Sequence, residues 1–380
     1  MIISINNPIQ ATIIFECILF FALLISVRAK KFSHFFPISK SHELKGLAIL
    51  FIVFSHIGYF LVTDHRFLFP LSIMAGVGVD LFLFLSGLGL TASALKKPLS
   101  IFNFYRKNLL KLYIPFWLSL IIFFSLDFFV LKIIYSWQYI ERAFLGFFTS
   151  VDLYRDLNSP LWYFTLILFY YLLFPLFFYK KAPWVSAAVI YITTLLILHQ
   201  NIPLISWVTP FYRLHIVAFP LGILASWLIY GLSYQYKISA NKYYIWLKKY
   251  FFKIGYYALI LSLIVFIGYF SYYFGGQTNP NKEQLISIIT MSAIVFLFLL
   301  KKIELRLLQI FGIYSYEIYL LHWPILYRYD IFYRYFPAWL ATVFYLIFFL
   351  GLAWLFKKFA ELVLSAIYRV IHFKAYPNKI

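Results

Sequence analysis

The sequence predicts an all-α integral membrane protein, a polytopic bundle of about 11 transmembrane helices, on three observations. Hydrophobic residues make up 64% of the chain and charged ones only 12%, with a mean hydropathy of +0.85, outside the range of soluble domains. The apolar residues fall in runs of about 20, the length that crosses a bilayer as a helix. Those runs show no sustained two-residue alternation, which argues against a membrane barrel and leaves helices to satisfy the backbone in lipid.

The first span, near 9–27, is longer than a typical leader core, has no basic segment before it and is followed by Arg28, Lys30 and Lys31. It reads as a retained span. It also holds Cys17, the only cysteine, so neither a disulfide nor a cysteine-ligated metal site is available. The second span, near 44–63, carries Lys45 and His56 within one apolar run. Their spacing is about three helical turns, so both point along one face about 16 Å apart in height, and an intramembrane stripe with two titratable groups is a functional candidate. The third, near 77–95, contains Asp80 and ends on Lys96-Lys97. The fourth, near 112–135, follows the basic stretch from Arg106 to Lys111. The fifth, near 161–179, opens on Leu161-Trp162-Tyr163 and ends on Lys180-Lys181. The remaining spans lie near 183–199, 214–233, 254–274, 284–300, 313–329 and 335–356, the last but one holding His322 and Pro324.

The net charge of +20 is distributed as membrane topology, not as a nucleic-acid surface. With the N-terminus outside, 25 of the 33 basic residues fall on inside segments and every second connection alternates correctly. That places the C-terminus in the cytoplasm. The chain reads as one membrane domain at 40–360, preceded by an additional helix and linker at 1–39 and followed by a cytoplasmic tail at 361–380. The longest connections are Lys96 to Lys111 and Ser233 to Lys253 inside, and Ser136 to Pro160 outside. The outside one is mixed in charge and reads either as a solvated loop or as a contact for a sugar.

Placed by depth, the polar residues sort into two groups. His56, Asp80, His322, Trp162, Tyr163, Arg213 and His215 fall toward the outer ends of their helices, whereas Lys45, Arg106, Lys107, Lys111 and Lys180 lie at the inner surface. An anionic ligand would be held from inside and a neutral polar one reached from outside. Each residue has a functional and a structural reading. A neutral His56 can take a proton from a hydroxyl as a general base, or can bond between helices. Asp80 needs a cationic or imidazole partner, which makes a pairing with Arg213 or His322 as good a reading as a catalytic role. Lys107 and Lys111, one turn apart, form a phosphate clamp or an ordinary positive-inside flank. Pro324 beside His322 opens its helix locally, freeing carbonyls for a pocket or for a kink.

No phosphate-binding glycine loop, dinucleotide fingerprint, zinc-protease motif or serine-hydrolase elbow is present. The ordered segments resemble the membrane acyltransferase family 3. Glu43-Leu44-Lys45-Gly46-Leu47-Ala48 followed by His56 is similar to its opening pattern of a basic residue, ten residues and a histidine. Gly78-Val79-Asp80-Leu81-Phe82-Leu83-Phe84-Leu85-Ser86-Gly87 resembles its second signature, and the stretch from Phe104 to Pro115 its basic cytoplasmic loop. Leu161-Trp162-Tyr163 with Phe174-Pro175-Leu176, Arg213 followed by Phe219 and Gly222, and Ser315 to Pro324 complete the match, which spans roughly 40–360. The chain departs from the family at Lys45, where arginine is usual, at Asn108, where a basic residue is common, and after Tyr163, where many members have an acid.

The resemblance implies ten core helices, with the span near 9–27 as an addition. It implies an O-acyltransferase, most commonly an O-acetyltransferase, in a bacterial plasma (inner) membrane. Acyl-coenzyme A (acetyl-CoA) would be the donor substrate, with no bound cofactor and no metal, and an extracytoplasmic glycan or glycolipid such as a capsule or lipopolysaccharide the acceptor. In that scheme His56 is base or nucleophile and Asp80 orients it, Lys45, Arg106, Lys107 and Lys111 hold the donor, and Trp162, Tyr163, Arg213 and His322 face the acceptor. Competing readings are a polysaccharide-lipid flippase or polymerase-like transporter, and a membrane scaffold or degenerate family member.

Overall fold

The computed structural model describes residues 3–29, 36–148, 151–153, 155–200, 202, 205–231, 253–274 and 279–370. Nine helices among them are long and apolar enough to cross a membrane. The runs near 183–199 and 313–329 form shorter helices, Pro183–His199 and Ser315–Arg328. The protein is an all-α polytopic membrane protein. The basic connection Ser233–Lys253 falls, up to residue 252, outside the described residues, as do Lys30, Lys31 and the tail beyond residue 370.

Helix α1 (Pro8–Ile25) starts on a proline, whose missing N–H costs nothing at a first turn. It is held at both ends. Ile3 bridges to Val62 near its start, and past its end strand β1 (Val27–Ala29) pairs antiparallel with β2 (Ile303–Leu305). Three-residue strands carry no legible alternation, which is why the apolar runs gave no sign of this ladder.

Helix α2 (Ile38–Ser55) continues into a π-helical turn, His56–Leu61. It is the most buried of the spans. Two contacts fix its beginning: Lys301 bonds Glu43 at 2.6 Å, and Lys40 donates to the Leu299 carbonyl at 2.8 Å. The other Glu43 oxygen accepts the Leu305 amide. Beside it, α12 (Arg306–Ile313) crosses so closely that a Cβ on Gly46 would collide with the Leu308 carbonyl, and one on Gly312 with the His42 carbonyl. Only glycine fits at such an approach.

Helix α3 (Ala75–Lys96) packs against α2 and against α9 (Ala218–Ser226), the latter through Gly87 and Gly222. Helix α4 (Ile101–Leu126) is capped by the Ser100 hydroxyl. The short α5 (Trp137–Leu145) follows, then α6 (Trp162–Phe177), α7 (Pro183–His199) and α8 (Thr209–His215). Helices α10 (Lys253–Phe274) and α11 (Pro280–Leu300) pair with each other, and α11 also touches α3. Helix α13 (Ser315–Arg328) lies against α2, α4 and α14 (Ala338–Val370). Helix α14 runs well past the expected end near 356 and through the first ten residues of the expected tail.

The segment between α5 and α6 is not simply solvated. Arg328 forms a buried ion pair with Asp127 and donates to the Asp156 carbonyl at 2.6 Å, while Asn158 donates to the Leu320 carbonyl at 2.9 Å and Tyr319 to the Pro160 carbonyl at 2.8 Å. Three bonds thus dock this segment on α13. The Leu320 bond has a simple cause. Pro324, four residues on, has no N–H to offer that carbonyl, and Asn158 supplies the missing donor. Helix α13 continues through Pro324 with that one carbonyl freed.

Candidate active site

His56 is the first residue of the π-helical turn, where the wider i→i+5 pattern replaces the α ladder and commonly marks functional positions. Its imidazole meets His322 of α13. The two nitrogens, Nδ1 of His56 and Nε2 of His322, are 2.6 Å apart. The ring planes differ by 10° with centres 4.8 Å apart, so the rings lie edge to edge in nearly one plane and the contact is in line. His322 is fully buried and His56 partly exposed. Trp323 closes one side of His56 at 4.9 Å between ring centres, and Phe60 another at 5.9 Å.

The pairing fixes the protons. Nδ1 of His322 faces the Ile318 and Tyr319 carbonyl oxygens at 3.0 and 2.9 Å. Carbonyls only accept, so this nitrogen carries the hydrogen. In the neutral ring Nε2 of His322 then offers a lone pair, which Nδ1–H of His56 must supply with a hydrogen. The lone pair of His56 is left on its own Nε2. An imidazole held in one tautomer, with its free nitrogen partly exposed, can accept a proton or attack a carbonyl.

Asp80 requires a correction. It does not orient His56, nor does it pair with Arg213 or His322. One carboxylate oxygen takes Nδ1 of His215 at 2.7 Å and the other the Ser287 hydroxyl. With no exposed surface of its own, a carboxylate needs such donors, and α8 and α11 bring them to α3. Trp162 stacks on His215, ring centres 5.7 Å apart and planes 19° apart. It therefore belongs to this second cluster. Tyr163 lies edge-on to Tyr319, one turn before His322, at 5.5 Å. Arg213 is exposed and donates to the Leu198 carbonyl at 3.0 Å, capping the end of α7.

At the other end of α2, Lys45 is half-buried and lies within electrostatic reach of Lys357 on α14. Lys107 and Lys111 face each other on α4, and Lys111 senses Glu361, one turn beyond Lys357. Arg106 lies over the Phe102 ring at 5.7 Å. Glu317 is buried, with Oε2 unpaired and both Lys357 and Glu361 near. In the sequence Lys357 is one basic residue just past the last apolar run; its approach to Lys45 comes from the packing of α14. Among the described residues, no three His, Cys, Asp or Glu side chains come together as metal ligands would.

Neither a curated protein nor a solved structure matches the chain. The model of the acyltransferase domain family matches residues 43–358, from Glu43 at the start of α2 through Lys358 on α14. It encloses the histidine pair, the Asp80 cluster and the basic end. With the bundle of apolar helices and the resemblance of the motifs from Glu43 to Pro324, this match places the chain in the membrane acyltransferase family 3.

Proposed function

We propose that the protein is an O-acyltransferase that moves an acyl group, most simply acetyl, from cytoplasmic acyl-coenzyme A to a sugar hydroxyl on the outer side of a bacterial plasma membrane. One observation carries this reading: the His56–His322 pair, which leaves Nε2 of His56 unprotonated at the end of α2 opposite the basic cluster. The N-terminus lies outside and the C-terminus inside.

The phosphates of the donor rest on Lys45, Arg106, Lys107 and Lys111, with Lys357 added to that set, and the pantetheine arm reaches along α2 toward His56. Nε2 of His56 takes the proton of the acceptor hydroxyl as its oxygen bonds the thioester carbonyl carbon. The carbon–sulfur bond then breaks, and the proton passes from the imidazolium to the departing thiolate. His322 accepts from Nδ1–H throughout, holding the ring in place and steadying its positive charge, as an orienting acceptor does for a catalytic imidazole. Asp80 acts on α3, α8 and α11 instead of on the reacting atoms.

The test is transfer of labelled acetyl from acetyl-coenzyme A by membranes carrying wild type or His56→Ala, matched for protein level. A positioned general base contributes about 10²–10⁴-fold, and a loss of that order is expected. Equal acetylation by both would sink the proposal.

A further inference from the structure

Beyond the histidine pair the chain turns back on itself at Thr63–Phe69 and borders a shallow cleft, open to solvent over most of its extent and lined by Thr63, Asp64, His65, Arg66 and Phe69. Its polar side is an ion pair. Nε of Arg66 lies 2.9 and 3.1 Å from the two Asp64 oxygens and Nη2 lies 2.5 Å from one of them. The guanidinium bond holds the Asp64 carboxyl down at about 2, so the pair stays ionised and mutually neutralised across the physiological range. Its unshared donor and acceptor edges remain in solvent, the Arg66 side chain being 65% exposed.

A line of rings joins this cleft to the imidazole of His56. His65 stacks on Tyr59 at 4.9 Å, Tyr59 meets Phe60 edge-on at 4.9 Å, and Phe60 lies 5.9 Å from His56. Tyr59 and Phe60 are 46% and 38% exposed. The π-helical turn that starts at His56 presents both residues, so one local feature of the backbone sets the imidazole and the ring path together.

We infer that the Thr63–Phe69 cleft seats a neutral saccharide unit of the acceptor, with the Asp64–Arg66 pair bonding adjacent hydroxyls and the aromatic rings taking the C–H face. The inference rests on the acyl-transfer reading for why a sugar comes here. The chemistry of the walls selects its class. A cancelled ion pair offers both acceptors and donors to hydroxyls but no net attraction for an anion, which separates a neutral sugar from a phosphate or uronate. Aromatic faces favour the apolar side of a pyranose ring.

Saturation-transfer NMR on the full-length protein in detergent reads contact with sugar without turnover. The probes are methyl glycosides of glucose, galactose, mannose, rhamnose and N-acetylglucosamine, with methyl glucuronide as the anionic control. At least one neutral glycoside should show transfer, glucuronide should not, and both Asp64→Ala and Arg66→Ala should weaken the neutral signal by about tenfold, the equivalent of one charge-assisted hydrogen bond. Both side chains of the pair are accessible to solvent, and size-exclusion profiles are the check that each variant is folded. No signal from any neutral glycoside, an equal signal from glucuronide, or unchanged signals in Asp64→Ala and Arg66→Ala would overturn the cleft. A protein that binds glycoside here but transfers no acetyl would overturn the acyl-transfer reading and leave the cleft standing.

Discussion

At the scale of single residues, His322 is the side chain whose removal best separates positioning from fold. His322→Ala deletes the acceptor for Nδ1–H of His56, and the imidazole is then free to rotate or to move its proton to Nε2. Loss of the group that orients a metal-ligating histidine costs about 10–100-fold, and the same order serves as the expectation for this orienting acceptor. We expect kcat to fall by about that much with the KM for acetyl-coenzyme A unchanged. His322→Gln, whose side-chain oxygen can accept Nδ1–H, should recover part of it. A purely structural His322 would give equal losses for the two variants. Asp80 makes the opposite case. Asp80→Ala leaves the buried His215 Nδ1–H unpaired, a cost of about 1–3 kcal/mol. The midpoint of thermal unfolding in detergent should drop while the turnover of the folded fraction is kept. A collapse of turnover at an unchanged midpoint would return Asp80 to the reacting centre.

At the scale of elements, the crossing of α2 and α12 holds the site's two ends in register. Gly46 and Gly312 sit where each backbone meets the other's carbonyl, so Gly312→Ala must push the helices apart. Overpacking of this kind costs about 1–3 kcal/mol. Gly351→Ala on α14, where nothing lies near the added methyl, should be neutral. Comparing the two unfolding midpoints isolates the crossing from the general loss of glycine in a helix, and equal midpoints would refute it. The helices themselves were legible because a bilayer demands apolar runs of about 20 residues. Their contacts were not. His56 and His322 each stood out as polar groups in greasy spans, yet 266 residues separate them, and no local pattern encodes which two helices meet. Asp80 announced that it needed a partner without naming His215. The Ser136–Pro160 segment looked like a loop because the residues that dock it are single ones, Arg328 and Asn158, and not a periodic face.

At the scale of the whole molecule, α2 spans the bundle with a basic cluster about one end and an imidazole pair at the other, and the proposed reaction follows from that polarity. The donor's charge is the lever for testing it. Lys45 and Lys357 come from helices at opposite ends of the sequence and lie close together without a carboxylate bonded to either among the described contacts, an arrangement suited to an anion. Each lysine replaced by alanine should raise the KM for acetyl-coenzyme A by about tenfold, the worth of one charge-assisted contact. Acetyl-pantetheine has the same thioester and arm but none of the phosphates, so its KM should be indifferent to both substitutions. Sidedness adds a second arm. Sealed vesicles with the cytoplasmic face outward should consume added acetyl-coenzyme A, and vesicles of the native orientation should not, because the donor cannot cross the bilayer. Equal consumption by the two, or a KM for acetyl-pantetheine that rises in step with that for acetyl-coenzyme A, would remove the basic cluster from donor binding and with it the directional reading of α2.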